Sequence, residues 1–146
     1  MRHEPERFDL LGFSVTCLHA AAGAPFSLLR WDARPGAGGI PKHFHAHTEE
    51  GFYVMSGELG LWLDGQELGC EPGSYTSVAP GQPHSFWNPG SEPATYLTPL
   101  APAGFEAYLR LLAQGLAGAQ SDDEATELRE RLGQQFDIVV VGPPPH

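Results

Sequence analysis

The side chains most able to carry chemistry in this sequence are a group of histidines followed by two glutamates. Three of the seven histidines lie within five residues, in the run His43-Phe44-His45-Ala46-His47-Thr48-Glu49-Glu50. Imidazole nitrogens and carboxylate oxygens are common ligands of divalent transition metals. Because residues two apart in a strand point to the same face, the first two histidines would project together. This pattern predicts a metal site, and a solvated polar face is the alternative interpretation.

Two further residues could complete such a site. Glu50 lies five residues after the second histidine, so a short turn would bring its strand back beside the histidine pair. His84 opens another strand-like run, directly after the turn-forming segment Pro80-Gly81-Gln82-Pro83. His47 and Glu49 stay open as alternative ligands, since they lie one register away on the same run.

The elements that must position these residues are short strands separated by turns. Nine runs rich in Val, Leu, Phe, Tyr, Trp and Thr lie between residues 12 and 99, broken by Gly, Pro, Asp or Ser every eight to twelve residues. This spacing is typical of an all-β sandwich or barrel. Gly65 beside Asp64 predicts a tight turn, and Gly57 predicts a sharp bend or bulge.

After residue 100 the pattern changes from strands to helices. Apolar residues at helical spacing predict one amphipathic helix, with a stripe formed by Phe105, Tyr108, Leu109, Leu112 and Leu116. Ser121 followed by Glu124 is a capping-box signature that opens a second helix. The final apolar run, 138–141, favours extended structure. We therefore predict a single domain over 1–146, with a barrel at about 8–100, a helical extension at about 102–135 packed on it, and an extended tail at 136–146.

Composition excludes several classes of function. Eight basic residues against eighteen acidic ones give a net charge of −10, which disfavours binding to nucleic acid and to anionic membranes. No run of 18 apolar residues is present, and the first ten residues lack the apolar stretch of a signal peptide. The two cysteines, Cys17 and Cys70, form no disulfide framework. These features predict a cytoplasmic protein without a nucleic-acid or membrane partner.

Two segments around the histidines resemble the two motifs of the cupin superfamily. The first motif, G-x5-H-x-H-x(3,4)-E-x6-G, is matched from His43 through Glu50 to Gly57. The second, G-x5-P-x-G-x2-H-x3-N, is matched from Gly73 to Asn88. The 15 residues between the motifs match the short spacer of small bacterial cupins.

Other parts of the chain resemble the single-domain cupins of the quercetin 2,3-dioxygenase-like group. The similar segments are 26–29 with 35–38, 103–106 and 137–144. Three positions depart from the motifs: the first glycine is shifted to Gly38, Ala79 replaces the motif proline, and Ser74 stands where many relatives have Asp. None of these changes removes a ligand.

The resemblance implies an all-β cupin jelly-roll barrel with two C-terminal helices packed on it, and a site inside the barrel. Carried over by position, it makes His43, His45, Glu50 and His84 the ligands of one divalent transition metal, which could be Fe, Mn, Ni, Co, Cu or Zn. It also implies a homodimer. Glu50 is in addition the candidate catalytic residue, because its carboxylate could accept a substrate proton.

Strand parity predicts the walls of a pocket beside this metal. Counting from Glu50, the same face carries Phe52 and Val54, and counting from His84 it carries Phe86 and Asn88. We take these four as candidate substrate-binding residues, with ordinary core packing as the alternative. An aromatic-lined cavity suits a small hydrophobic or aromatic molecule.

Three functions are compatible with these residues. The first is a metal-dependent oxygenase, such as a dioxygenase, acting on a small electron-rich aromatic or enolic substrate. The second is a non-catalytic cupin that binds a small molecule, so the sequence leaves open whether the protein is an enzyme. The third is a sugar isomerase, which is disfavoured because only Arg30, Arg34 and Lys42 lie near the predicted barrel to hold a phosphate.

Overall fold

The structure is a computed structural model, and it describes residues 5–21 and 23–146. These residues contain eleven strands and two helices, joined by turns and loops. Residues 1–4 of the predicted domain and Ala22 lie outside this range. The elements in chain order are β1 (Arg7–Leu10), β2 (Phe13–His19), β3 (Ser27–Ala33), β4 (Lys42–His45), β5 (Glu49–Ser56), β6 (Leu59–Leu63), β7 (Gln66–Cys70), β8 (Tyr75–Val78), β9 (His84–Trp87), β10 (Ala94–Ala101), α1 (Phe105–Gly118), α2 (Asp122–Gln135) and β11 (Ile138–Gly142).

The strands form two antiparallel sheets that pack together as a jelly-roll barrel, which confirms the predicted fold class. One sheet has the order β1-β2-β3-β10-β5-β8, and the other has the order β11-β4-β9-β6-β7. Side chains alternate as expected for strands with one face in the core: in β10, Ala94, Tyr96, Thr98 and Leu100 are buried. The aromatic centre of the core joins the two sheets, because Phe86 of β9 contacts Trp31 of β3, with ring centroids 5.0 Å apart.

Two turn predictions are confirmed by the backbone. Asp64 and Gly65 both have positive φ, 47° and 88°, as a two-residue hairpin between β6 and β7 requires. Gly57 has φ +76° where the chain bends between β5 and β6. A Cβ atom at Gly57 would lie only 2.5 Å from the Cβ of Ala94, so glycine is needed there for both conformation and space.

The two C-terminal helices lie against the barrel. The predicted apolar stripe of α1 is buried at Tyr108, Leu109 and Leu112. The predicted cap of α2 is present, since the Ser121 hydroxyl accepts a hydrogen bond of 3.2 Å from the Glu124 N–H. Neither helix, at 14 residues each, is long and apolar enough to cross a membrane.

Two strands differ from the sequence-based expectation. Arg7–Leu10 forms β1, which the apolar runs do not predict because Arg7 and Asp9 interrupt its apolar residues; that alternation is itself a strand signal. The segment predicted as an extended tail contains β11, which pairs with β4. Its register sets Ile138 opposite His45 and Val140 opposite His43, so the C-terminal segment completes the sheet that carries the three predicted histidine ligands.

Candidate metal centre

The two sheets bring the four predicted ligands to one place inside the barrel. His43 and His45 project from β4, and His84, at the start of neighbouring β9, pairs in register with His43. Glu50 comes from β5 in the opposite sheet. The period-two pattern of β4 buries both of its histidines, as predicted from their spacing.

The distances between these side chains are short enough for one ion to contact several of them. Ligand atoms of His43, His45 and His84 all lie within 4.8 Å of one another. Glu50 Oε1 lies 3.0 Å from His84 Nε2 and 3.4 Å from His45 Nε2. The shorter contact has hydrogen-bond geometry, while the longer one brings the groups only within ion-pair range.

Burial and mutual charge set the protonation of this cluster. All four side chains are buried, with at most 8% exposure. Burial lowers the pKa of His43 well below its ordinary value, and the neighbouring imidazoles of His84 and His45 lower it further. Burial alone would raise the pKa of Glu50, but the imidazoles of His45 and His84 outweigh it and hold that pKa below its ordinary value. The site therefore combines a neutral His43 with an ionised carboxylate near neutral pH.

Two backbone carbonyls fix which imidazole nitrogens face the centre. His43 Nδ1 lies 2.8 Å from the Pro41 carbonyl oxygen, and His84 Nδ1 lies 3.0 Å from that of Gln82. A carbonyl oxygen only accepts, so each Nδ1 carries a hydrogen and donates it. In the neutral tautomer His84 Nε2 is then an acceptor that faces the Glu50 carboxylate, also an acceptor. A cation, either a proton or a metal ion, is required to make that 3.0 Å contact favourable.

The residues present fit a divalent transition metal. Both ring nitrogens of His45 are buried and have no hydrogen-bond partner within the described residues 5–21 and 23–146. An unpartnered buried nitrogen is costly unless it binds a ligand. Anchoring of Nδ1 by carbonyl groups, as at His43 and His84, is the usual support of a metal-binding histidine. The donor set of three nitrogens and one carboxylate suits the predicted metals.

The two alternative ligands do not reach this cluster. His47 and Glu49 are exposed, in the turn after β4 and at the start of β5. Asp137 holds the turn in place, because its carboxylate accepts hydrogen bonds from the His47 N–H at 2.8 Å and from the Thr48 hydroxyl at 2.9 Å. The turn thereby directs Glu50, rather than Glu49, into the barrel.

A small cavity adjoins the cluster at the end of the barrel covered by the helices. Its volume is about 40 Å³, and its walls include His43, Glu50 and Phe86 together with apolar side chains of the barrel and of α1. Phe105, the first residue of α1, packs edge-on against His45 with ring centroids 4.7 Å apart. The helical extension therefore closes the compartment that holds the ligands.

The predicted pocket residues occupy different positions around this space. Phe86 lines the cavity, whereas Phe52 and Val54 are buried in the core beside it. Asn88 is also buried, and its side-chain amide donates hydrogen bonds to the carbonyl groups of Ala33, Arg34 and Glu92. Substrate contact by these four residues stays a prediction.

Two cavity-lining polar residues were missed from the sequence. Tyr108 of α1 and Arg129 of α2 share the cavity with His43 and Glu50. Tyr108 was assigned to the apolar stripe of its helix, and Arg129 directly follows the buried Leu128. The only sequence signal was a lone arginine at the edge of an apolar helix face, which does not reveal what that face covers.

The sequence of this chain is similar to a known protein family and to curated proteins. Residues 29–99 match the family model described as "Cupin domain". Quercetin 2,3-dioxygenase from Bacillus subtilis (strain 168) is 31% identical over 101 residues, which are 68% of this chain and 30% of that protein. The chain spans less than half the length of the curated relatives it matches.

Solved structures share the architecture. A sugar phosphate isomerase from a cupin superfamily, from Silicibacter pomeroyi DSS-3, has a TM-score of 0.57 at 26% identity, covering 68% of this chain and 69% of that one. Pac13 from Streptomyces, described as a unique nucleoside dehydratase, has a TM-score of 0.63 at 16% identity, covering 98% of this chain and 93% of that one. At that identity the second likeness shows the fold alone, and it extends over the C-terminal helices as well as the barrel.

Proposed function

This chain belongs to the cupin superfamily, and from that premise we propose that it is a metal-dependent oxygenase acting on a small aromatic or enolic substrate. The observation that carries the proposal is the convergence of three buried histidines, with ligand atoms within 4.8 Å of one another, beside the Glu50 carboxylate. The resemblance to quercetin 2,3-dioxygenase supports the reaction class.

The four ligands define what chemistry the site can support. Three neutral imidazoles and one carboxylate around a divalent ion leave a net local charge of about +1, which favours an anionic oxygen of an enolate or phenolate. When bound, the metal supplies Lewis acidity and, for Fe, Mn, Ni, Co or Cu, redox chemistry. The identity of the metal is left to measurement, because nitrogen and oxygen donors bind all of these ions.

Glu50 is the residue that we propose to handle the substrate proton. Its carboxylate lines the cavity, and its lowered pKa keeps it ionised, so it can accept a hydrogen bond from a substrate hydroxyl and hold that proton toward itself. The surrounding walls are apolar at Phe13, Trp31 and Phe86, which excludes water and favours an aromatic or enolic ring. These walls are also why we place hydrophobic substrates ahead of sugars.

Oxygen uptake by separately metal-loaded preparations tests this proposal. Flavonols and 1,3-diketones should each be offered to the Fe, Mn, Ni, Co, Cu and Zn forms, with His84→Ala as the control that lacks a ligand. We expect oxygen consumption with at least one redox-active metal and none with Zn, which has no redox chemistry. Absence of uptake in every metal form would count against an oxygenase.

A binding protein without turnover is the second candidate. The small volume of the cavity, about 40 Å³, supports it, because little room is left for a substrate and dioxygen together beside the cluster. Thermal stabilisation by a small molecule, with no product formed and no oxygen consumed, would support this function in place of the first.

A sugar isomerase is supported by the likeness to the cupin sugar phosphate isomerase but not by the charges of the barrel. Arg30 is exposed and paired with Asp32, and Lys42 lies over the ring of Trp62 at 4.7 Å. Neither residue lines the cavity at the cluster. Phosphate recognition there would depend on Arg129 alone.

We also propose that the protein is a homodimer. The support is a group of exposed apolar side chains on β5 and the edge strand β8, where Tyr53 pairs in register with Tyr75 and Met55 follows on β5. Large exposed apolar side chains that lie together are typical of subunit interfaces. Light scattering should give twice the chain mass for the wild type and a smaller mass for Tyr75→Glu.

A further inference from the structure

Arg129 stands out as a partly buried cation without a counter-ion. Within residues 5–21 and 23–146 it forms no ion pair and no hydrogen bond through its side chain, whereas Arg30 and Arg110 are each paired with a carboxylate. The chain has eighteen acidic and only eight basic residues, so acidic partners are abundant. A fully buried arginine is normally paired, whereas Arg129 is half-buried, so its guanidinium stays accessible to a ligand. Its isolation suggests that its partner arrives from outside the chain.

Tyr108 offers a second unpartnered donor in the same cavity. Its side chain is 5% exposed, and its hydroxyl makes no hydrogen bond to any residue that the structure describes. The hydroxyl oxygen is not one of the fully buried polar atoms that lack a partner, so it is open to water or to a ligand. Burial raises the pKa of Tyr108 and lowers that of Arg129, and each group opposes the shift of the other, as expected of neighbours. The cavity is thus lined by Arg129 and Tyr108 as well as by His43 and Glu50.

Arg129 also lies between the enclosed cavity and an open groove. Pro41, Arg129 and Val140 line both the cavity of about 40 Å³ and a groove of about 940 Å³ along α2 and β11. Asp122 and Glu130 line this groove as well, but Arg129 forms no ion pair with either. Arg129 therefore lies where the groove and the cavity adjoin.

We infer that Arg129 and Tyr108 form an anion-binding pair that selects substrates carrying a carboxylate group. This inference rests on the proposed function in so far as the same cavity receives the substrate. The planar guanidinium can donate two parallel hydrogen bonds to a carboxylate, and the Tyr108 hydroxyl can donate a third. We favour a carboxylate over a phosphate because only one cation lines the enclosed cavity among the described residues. The substrate class becomes an aromatic or enolic acid.

Binding of paired acids and amides tests the inference without relying on catalysis. Benzoate and phenylacetate, with benzamide and phenylacetamide as neutral counterparts, should be titrated by calorimetry into metal-free and Zn-loaded protein. The variants are Arg129→Gln, Tyr108→Phe and, as a matched control, Arg131→Gln, which removes an exposed charge from the same helix. Thermal unfolding and metal content establish that each variant is folded and loaded.

We expect the acids to bind the wild type and the Arg131→Gln variant equally. Their affinity should fall about tenfold or more in Arg129→Gln and by a smaller factor in Tyr108→Phe, as for loss of a hydrogen bond to a charged group. The affinity for the amides should be the same in the wild type and in Arg129→Gln. The loss of acid affinity in Arg129→Gln should also appear in the metal-free protein, where no metal ion is present to bind the carboxylate.

Three outcomes would overturn the inference: no binding of either acid to the wild type, equal binding to Arg129→Gln, or the same loss in Arg131→Gln. The proposed oxygenase can fail separately. If no metal form consumes oxygen but the acids still depend on Arg129, the anion site stands and the reaction class is wrong. If oxygen is consumed but the affinity for the acids is the same with and without Arg129, the oxygenase proposal stands and the anion site is wrong.

Discussion

The ring of Phe105 lies over the imidazole of His45, with centroids 4.7 Å apart and planes inclined at 72°. Phe105 begins α1, and His45 belongs to the barrel strand β4. This contact joins the helical extension to the candidate metal centre. Because of this contact, α1 covers the site. The access that α1 controls and the metal binding by the ligands can therefore be tested with separate variants.

Removing this contact should open the site. Phe105→Ala should speed the removal of bound metal by a chelator such as EDTA several-fold, because water and chelator reach His45 more easily. The variant should lose about 1–3 kcal/mol of unfolding free energy, less than a fully buried Phe because the side chain is partly exposed.

Leu111→Ala is the matched control for Phe105. Leu111 lies on the same helix and packs against the core but does not line the cavity. It should lower stability without changing the rate of metal release. Equal release rates for the two variants would show that α1 does not cover the site.

Asp137 should matter for stability through the turn that separates the ligands. Asp137→Ala removes the acceptor for the His47 N–H and the buried Thr48 hydroxyl, and we expect a loss of about 1–3 kcal/mol. Denaturant unfolding measures this loss. Glu127→Ala, an exposed acidic residue on α2, should change stability by less than about 0.5 kcal/mol.

The metal-free protein should lose stability as the pH falls. The pKa of His43 is lower in the folded state than its ordinary value of 6.5, so below that pH the unfolded chain binds a proton that the folded chain does not. Stability should therefore decrease below about pH 6.5, by up to about 1.4 kcal/mol per pH unit for this group. Glu50, whose pKa is also lower when folded, should add to the loss below about pH 4.5.

Denaturant unfolding at a series of pH values checks this dependence. His43→Asn should flatten the curve between pH 6.5 and pH 4.5, whereas His19→Asn, at an exposed site, should leave it unchanged. A wild-type protein equally stable across this interval would contradict the assignment of a buried neutral His43.

Gly57 should be intolerant of any side chain. In Gly57→Ala the new Cβ would meet the backbone and side chain of Ala94 at 2.5–2.7 Å with φ near +76°, and we expect a loss of about 2 kcal/mol or more. Gly69→Ala is the control, because it lies in β7 with open space around its Cα. If both variants unfold at the same denaturant concentration, the close approach at Gly57 is not limiting.

Local pattern predicted which candidate ligand side chains lie together, for physical reasons. The side-chain period of a strand places His43 and His45 on one face, and a turn followed by an antiparallel strand returns Glu50 to them. The Ser121 cap and the Asp64-Gly65 turn were also predictable, since each depends on a few neighbouring residues.

Long-range packing was not predictable in the same way. Parity gives the face of a strand but not its neighbour, so the pairing of β11 with β4 could not be derived from the apolar run alone. The approach of Tyr108 and Arg129 to the cavity depends on how two helices lie across the barrel end. Strand parity also predicted Asn88 as a pocket residue on the inner face. Its side-chain amide instead donates hydrogen bonds to backbone carbonyl groups, which parity does not reveal.

The central claim is that His43, His45, Glu50 and His84 hold a metal ion, and elemental analysis of purified protein tests it most directly. The wild type and His47→Ala should each contain about one equivalent of a transition metal per chain after loading and desalting, because His47 is exposed and outside the cluster. His84→Ala should lose that metal while retaining a cooperative unfolding transition. A wild type that retains no metal, or a His84→Ala variant that retains as much as the wild type, would contradict the account.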